Sequence, residues 1–141
     1  MPYALRMDGR ILRVDFTGTL TNQDLSQCVA ELANAEESTA VIPHRLVDFR
    51  SVERLDIDFS GVLAVAEARR RRSYRNRFKT AVVASDVVRY GFARMFQTLN
   101  DNPQIVIAIF GDEVEALSWL GRAEFKAPRV PWHPRLSGKP R

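Results

Sequence analysis

The sequence predicts an α/β fold: one domain built on a mixed five-stranded sheet, opened by an N-terminal hairpin and covered by four main helices. Three observations carry this. Residues 45–49, 80–84 and 105–110 form short apolar runs rich in Val, Ile and Phe. Each is too short for an ordinary helix and reads as a buried strand. A helix start follows each run, so strands alternate with helices and the crossovers imply parallel pairing. Asp8-Gly9, between two strand-like segments, supplies the antiparallel pair. A chain of 141 residues with 45% hydrophobic and 27% charged content suits one globular domain. A chain of this size buries roughly two thirds of its unfolded surface.

The elements follow in order. Asp8-Gly9 is expected at the turn between residues 3–7 and 10–17, where Leu12, Val14 and Phe16 alternate with Arg13 and Asp15. Thr21 is an expected N-cap, with Asp24 in capping-box spacing. Leu25, Cys28, Val29 and Leu32 then share a helical face. Pro43 precedes the strand at 45–49, and Asp48, Arg50 and Ser51 begin a loop to a helix starting near Asp58. Val62, Val65 and Ala66 face inward from that helix. Ser85 is the expected cap of the next helix, whose stripe is Val88, Phe92, Met95, Phe96 and Leu99. Gly91 inside it costs about 1 kcal/mol against alanine and predicts a close backbone approach. The run 105–110 is the most hydrophobic and is expected near the sheet's centre. Asp112 and Glu115 have capping-box spacing, and Gly121 stops the last helix. Val114, Leu117 and Leu120 are its expected buried face, with Trp119 over a sheet edge. The domain is thus expected over residues 1–121. Residues 122–141 read as a basic, proline-rich tail, either free or draped over the body.

Charge and composition exclude several classes. The formal net charge is +4, but the positives concentrate in two places. Residues 69–79 carry Arg69, Arg70, Arg71, Arg72, Arg75, Arg77 and Lys79 with no acid, and the tail carries six positives against Glu124. The remainder is acidic, which argues against a nucleic-acid-binding domain. With only His44, His133 and a mid-helix Cys28, no nucleophile and base have motif spacing, and no enzyme activity is expected. No metal-ligand cluster and no glycine-rich phosphate loop is present, so no cofactor is expected. No apolar stretch reaches transmembrane length. Residues 1–10 lack an apolar signal core and are expected in the folded domain. A single cysteine suits a reducing compartment, making cytoplasm the expected location.

The order β-β-α-β-α-β-α-β-α resembles the STAS fold of bacterial anti-sigma-factor antagonists. More closely, it resembles the SpoIIAA-like group of small proteins. The resemblance rests on residues 16–21 (FTGTLT), 46–49 (LVDF), 90–96 (YGFARMF), 109–112 (IFGD) and 116–120 (ALSWL). In the antagonists, a strand ending in Asp leads to an Asp-Ser-Ser-Gly turn whose second serine is phosphorylated by a partner kinase. The matching stretch here is Asp58-Phe59-Ser60-Gly61, with Phe59 in place of the first serine. The resemblance therefore implies Ser60 as phosphoacceptor, with Asp48, Arg50, Ser51, Asp58 and Gly61 in a switch loop over residues 50–60. It implies a protein partner, a kinase or regulatory factor. Ser60 is equally compatible with an ordinary first-turn helix residue.

Two further readings stay open from the residues. Phe59, Val62, Phe92, Met95 and Phe96 would line a pocket for a small apolar or lipid ligand between sheet and helices, unless they are plain core. The run 69–79, with Tyr74 and Phe78 interleaved, would bind an anionic surface, unless it is a solvated helix end. The tail could embrace a second subunit, which makes a homodimer the expected assembly if one forms.

Overall fold

The computed structural model describes residues 2–128 and 132–134. β1 (Tyr3–Asp8) pairs antiparallel with β2 (Ile11–Thr21), closing at Asp8 opposite Ile11. The turn is therefore Gly9-Arg10, one residue later than expected. Of the two turn residues Gly9 takes the positive φ, +64°, so the left-handed residue leads the loop and Asp8 stays in the strand. β3 (Arg45–Asp56), β4 (Phe78–Val83) and β5 (Ile105–Phe110) follow, all parallel to β2. The sheet order is the sequence order, β1-β2-β3-β4-β5. β5 is thus an edge strand, not a central one. Its hydrophobicity has another cause: Ile107 and Ile109 pack toward one face of the sheet, while Ala108 and Phe110 are buried on the other.

Helices α1 (Asn22–Glu37), α2 (Phe59–Arg70), α3 (Val87–Leu99) and α4 (Glu113–Leu120) fill the connections. Leu25, Cys28, Leu32, Val62, Val65 and Ala93 from α1 to α3 cover one face, against Val14, Phe16, Phe49 and Val82. Among the described helices α4 covers the other, where Ala116, Trp119 and Leu120 meet Leu46, Ala81 and Val83. Trp119 is 1% exposed, so it is core and not an edge cover. Val88 and Val114 keep helical spacing but are exposed, each in the first turn of its helix. Nothing approaches Gly91 within 4 Å of where a Cβ would stand, so no close contact explains it. Each helix begins with a side-chain cap: Thr21, Asp58, Asp86 (one residue past the expected Ser85) and Asp112. Since β2 to β5 run parallel, these four starts lie at one end of the sheet.

β3 is the main departure from expectation. It continues to Asp56, so most of the expected switch loop is strand. Asp15 pairs with Asp48 but Thr17 with Ser51, and Gly18 pairs with Val52 but Thr19 with Arg54. At each shift β3 carries an extra residue, a bulge that breaks the period of two. Asp48 Oδ1 accepts the Arg50 backbone N–H (2.9 Å) at the first. β4 pairs only with Arg45 to Asp48, leaving the outer half of β3 without a strand on that side. Arg89 of α3 fills the gap, donating to the Phe49 carbonyl (3.2 Å) and to the Val52 carbonyl while Asp86 holds it.

The tail is draped over the body where it is described. The Trp119 Nε1–H donates to the Lys126 carbonyl (2.9 Å). The Trp132 Nε1–H donates to the Ala84 carbonyl (2.9 Å), and its ring stacks on Tyr90 with centroids 4.4 Å apart. The His133 carbonyl sits 2.4 Å from where a Cβ on Gly111 would be, so only glycine lets the tail pass. A contact of the tail with a second subunit concerns residues 129–131 and 135–141 as well, which lie outside the described residues.

Candidate functional site

Ser60 is exposed in the first turn of α2. Buried Ile57 anchors the approach, and the Asp58 carboxylate accepts the Gly61 N–H (3.0 Å). Asn22, at the start of α1, ties the two helix starts together. Its Nδ2 donates to Asp58 Oδ1 (3.1 Å), and its Oδ1 accepts the Asp58 backbone N–H (3.2 Å). This contact leaves no room on Gly61, where a Cβ would stand 1.9 Å from Asn22 Oδ1. The bond from the Gly61 N–H, then that from Asn22, hold the Asp58 carboxyl below the usual range. Phe59 is 56% exposed beside Ser60. The corner therefore presents an aromatic ring, a free hydroxyl and a fixed carboxylate. The first-turn N–H groups of α2 lie close by, where a phosphate's charge is favoured by the helix dipole.

Asp48 and Arg50 are not in a loop with Ser60. They belong to an ionic cluster on the sheet face that α4 leaves partly open. Arg50 donates to Asp48 (Nε 3.0 Å, one terminal nitrogen 2.8 Å) and to Glu113 (2.7 Å). Buried Arg13 reaches Glu113 (3.0 Å), Asp15 (3.4 Å) and Asp48 (3.6 Å). Burial alone would raise the Asp48 carboxyl, but the Arg50 bonds outweigh it and the net direction is down. The Arg13 bond likewise lowers Glu113. Every carboxylate here is engaged by an arginine, so the cluster pins α4 to β2 and β3. Ser51 is exposed on β3.

A cavity of about 120 Å³ lies between the sheet and α1, α2 and α3. Of the expected pocket residues, Phe96 lines it. Val62, Phe92 and Met95 pack in or against the surrounding core without lining it, and Phe59 points to solvent. The sequence reading missed α1 as a wall, with Leu25, Cys28, Val29 and Leu32, and missed the polar end formed by Arg45 and Arg69. Burial pushes the Cys28 thiol up to about 12, so it is no nucleophile there. At the polar end, Glu36 pairs with both arginines. It lies 2.5 Å from Arg45 and 2.7 Å from Arg69, with Arg45 over the Phe78 ring at 4.4 Å.

The basic run 69–79 is largely consumed inside the molecule. Arg69 is bound to Glu36, Arg70 and Arg71 to Glu67, and Arg72 to Glu37. Arg75 donates to the Glu37 carbonyl (3.2 Å), and Arg77 lies over Phe125 at 4.5 Å. Lys79 is fully buried, its Nζ donating to the carbonyls of Trp119 (2.7 Å) and Arg122 (2.6 Å). It caps the C-terminal end of α4. Tyr74 and Phe78, expected as stacking groups, are buried edge-to-face with one another. Among the described residues no group of three His, Cys, Asp or Glu is placed to hold a metal, and no helix is long and apolar enough to cross a membrane.

No protein-family model matches the sequence, and no curated protein matches it. Among solved structures, an uncharacterized protein of the DUF3478 family with a SpoIIAA-like fold, from Shewanella loihica PV-4, aligns with a TM-score of 0.56. Sequence identity is 16%, and the alignment covers 84% of this chain and 91% of that one. At this identity the likeness establishes architecture. The chain has a SpoIIAA-like, STAS-like α/β fold: a five-stranded mixed sheet with three helices on one face and one on the other.

Proposed function

We propose that the protein is a non-enzymatic, cytoplasmic regulatory module that recognises a protein partner through the corner formed by the starts of α1 and α2. Phosphorylation of Ser60 by a partner kinase switches it. The observation that carries this reading is the exposed Phe59-Ser60 pair on a turn held rigid by the Asn22–Asp58 bonds. A hydroxyl there is open to a kinase, and the scaffold beneath it does not need to move. A phosphate adds about two negative charges at a helix start that favours them, beside the charge of Asp58. The corner changes from one carboxylate next to an aromatic ring to a concentrated anionic patch. A partner that docks Phe59 reads that change directly.

Phosphopeptide mass spectrometry on the protein isolated from its native cells tests this. Phosphate on the peptide containing Ser60, absent from a Ser60→Ala variant, is the expected result. A Ser60 unmodified under all growth conditions, with the same bound partners for Ser60→Ala and Ser60→Asp, overturns the switch.

A further inference from the structure

The two edges of the sheet are finished differently. On β5 the odd-numbered residues turn their backbone groups outward, because the Gln104 and Phe110 carbonyls accept the Phe78 and Ala84 N–H groups on the β4 side (2.9 Å each). Much of that edge is closed. Asn100 Nδ2 donates to the Ile105 carbonyl (2.8 Å), Gln97 Nε2 donates to the Ile107 carbonyl (2.9 Å), and the Asn102 carbonyl accepts the Ile105 N–H (3.1 Å). β1 has no such cover. The Thr17 N–H donates to the Pro2 carbonyl (2.7 Å), which sets the phase of the ladder. Even-numbered residues of β1 therefore bond to β2, and Tyr3, Leu5 and Met7 turn their N–H and C=O groups outward. Among the described residues no hydrogen bond reaches those groups. An edge strand is ordinarily blunted by a proline, a bulge or a charge projecting across it. From Tyr3 to Asp8 there is no proline, and the register with β2 is unbroken. Arg6, the charge at mid-strand, is drawn back onto β2 by Asp15 (3.3 Å). Met7 beside it is 56% exposed.

We infer that the open edge of β1 is a homodimer interface, in which the β1 strands of two copies pair antiparallel about a two-fold axis at Leu5 and join the two sheets into one. A two-fold axis between identical edges makes the pairing antiparallel, and each strand supplies donors and acceptors alike. Side chains select the register. Centred on Leu5, all three outward residues pair: Leu5 with the same residue of the second copy, and Tyr3 with Met7 in each direction. Arg6 then falls opposite Ala4 and Asp8 opposite Pro2, so no like charges face each other. Centred on Arg6, two arginines would oppose one another; centred on Ala4, Met7 would pass beyond the start of the other strand. The Leu5 register also sets exposed Met7 beside the Tyr3 ring of the second copy, a favourable thioether–aromatic contact. The interface is separate from the Ser60 corner and stands without it.

Sedimentation equilibrium on the full chain tests this, with amide exchange and cross-linking to place the contact. The native protein should show a reversible monomer–dimer equilibrium. As concentration rises through it, the Leu5 and Met7 amides should exchange at least about tenfold more slowly, while the Arg6 amide, already bonded to β2, should not change. Met7→Pro removes an outward N–H from an exposed position that an edge strand tolerates. It should raise the dimer Kd at least about tenfold, with the fold retained by circular dichroism. The register is read by two cysteine variants, with buried Cys28 out of reach. In the dimer the two copies of residue 5 have Cα atoms about 5.5 Å apart, so Leu5→Cys should cross-link on oxidation. The two copies of residue 7 lie four residues out of step, about 14 Å apart, so Met7→Cys should not. A chain that stays monomeric up to about 1 mM overturns the inference. So does a dimer that folded Met7→Pro leaves intact, or one that Met7→Cys cross-links as readily as Leu5→Cys. Slow exchange of Leu5 and Met7 already in the monomer also overturns it, because the chain's own tail would then cover the edge.

Discussion

Gly61 and Gly91 both lie inside helices, and their neighbours make opposite demands on them. A methyl group at Gly61 collides with Asn22, whose side chain can retreat only by giving up its two bonds to Asp58. Gly61→Ala should therefore lower unfolding free energy by about 1 kcal/mol, measured by urea denaturation. In an Asn22→Ala background the same change should be neutral or favourable, a coupling that a double-mutant cycle reads directly. Gly91 faces open space in the middle of α3. Gly91→Ala should stabilise by about 0.5–1 kcal/mol. His44 gives a third check. Its Nδ1 accepts the Lys79 backbone N–H (2.9 Å), its ring meets Phe125, and burial, then the Lys79 charge, lower its pKa. The folded state thus prefers the neutral imidazole. Its contribution is complete above the unfolded value of about 6.5 and is lost as pH falls through the lower folded value. Thermal melts from pH 7 down to about 5 should show a steeper loss for the native protein than for His44→Asn, whose amide oxygen accepts the same bond without titrating.

Element boundaries were legible where local chemistry decides them and obscure where tertiary contacts do. The apolar runs and the Thr21, Asp58 and Asp112 caps are local signals, and each marks a strand or helix start in the structure. The outer half of β3 was not legible. Residues 50–56 alternate poorly, because two bulges shift the register and because that stretch pairs on one side only. Its other side depends on Arg89, forty residues away from Phe49 in sequence. Arg89→Met should free the Phe49 and Val52 carbonyls. Amide hydrogen exchange over residues 49–56 should then accelerate while the β4–β5 pair stays protected. Unchanged exchange there would mean that the β2 ladder alone holds the ribbon.

At the scale of the whole molecule, pattern reading recovers the architecture but misreads how the charges are used. Arg69 to Lys79 looks like a cationic surface in the sequence, yet α1 supplies Glu36 and Glu37 and α2 supplies Glu67 to meet it, and Lys79 closes α4. Such long-range pairings leave no mark in local spacing. The same holds for the cavity, whose polar end joins Arg45 of β3 to Arg69 of α2. The Ser60 corner was legible in advance only through the match to a serine-glycine turn, and its support by Asn22 of α1 was not. What distinguishes that corner is exposure on a rigid base, whereas the other charged clusters are occupied internally. A photo-crosslinking residue placed at Phe59 would recover the protein that docks there. Its affinity should then be measured by calorimetry against unmodified chain and against chain phosphorylated at Ser60. The account predicts a change of about tenfold or more, the scale of one or two charge-assisted contacts made or lost. Equal affinity for the two forms, within about a factor of two, would contradict it.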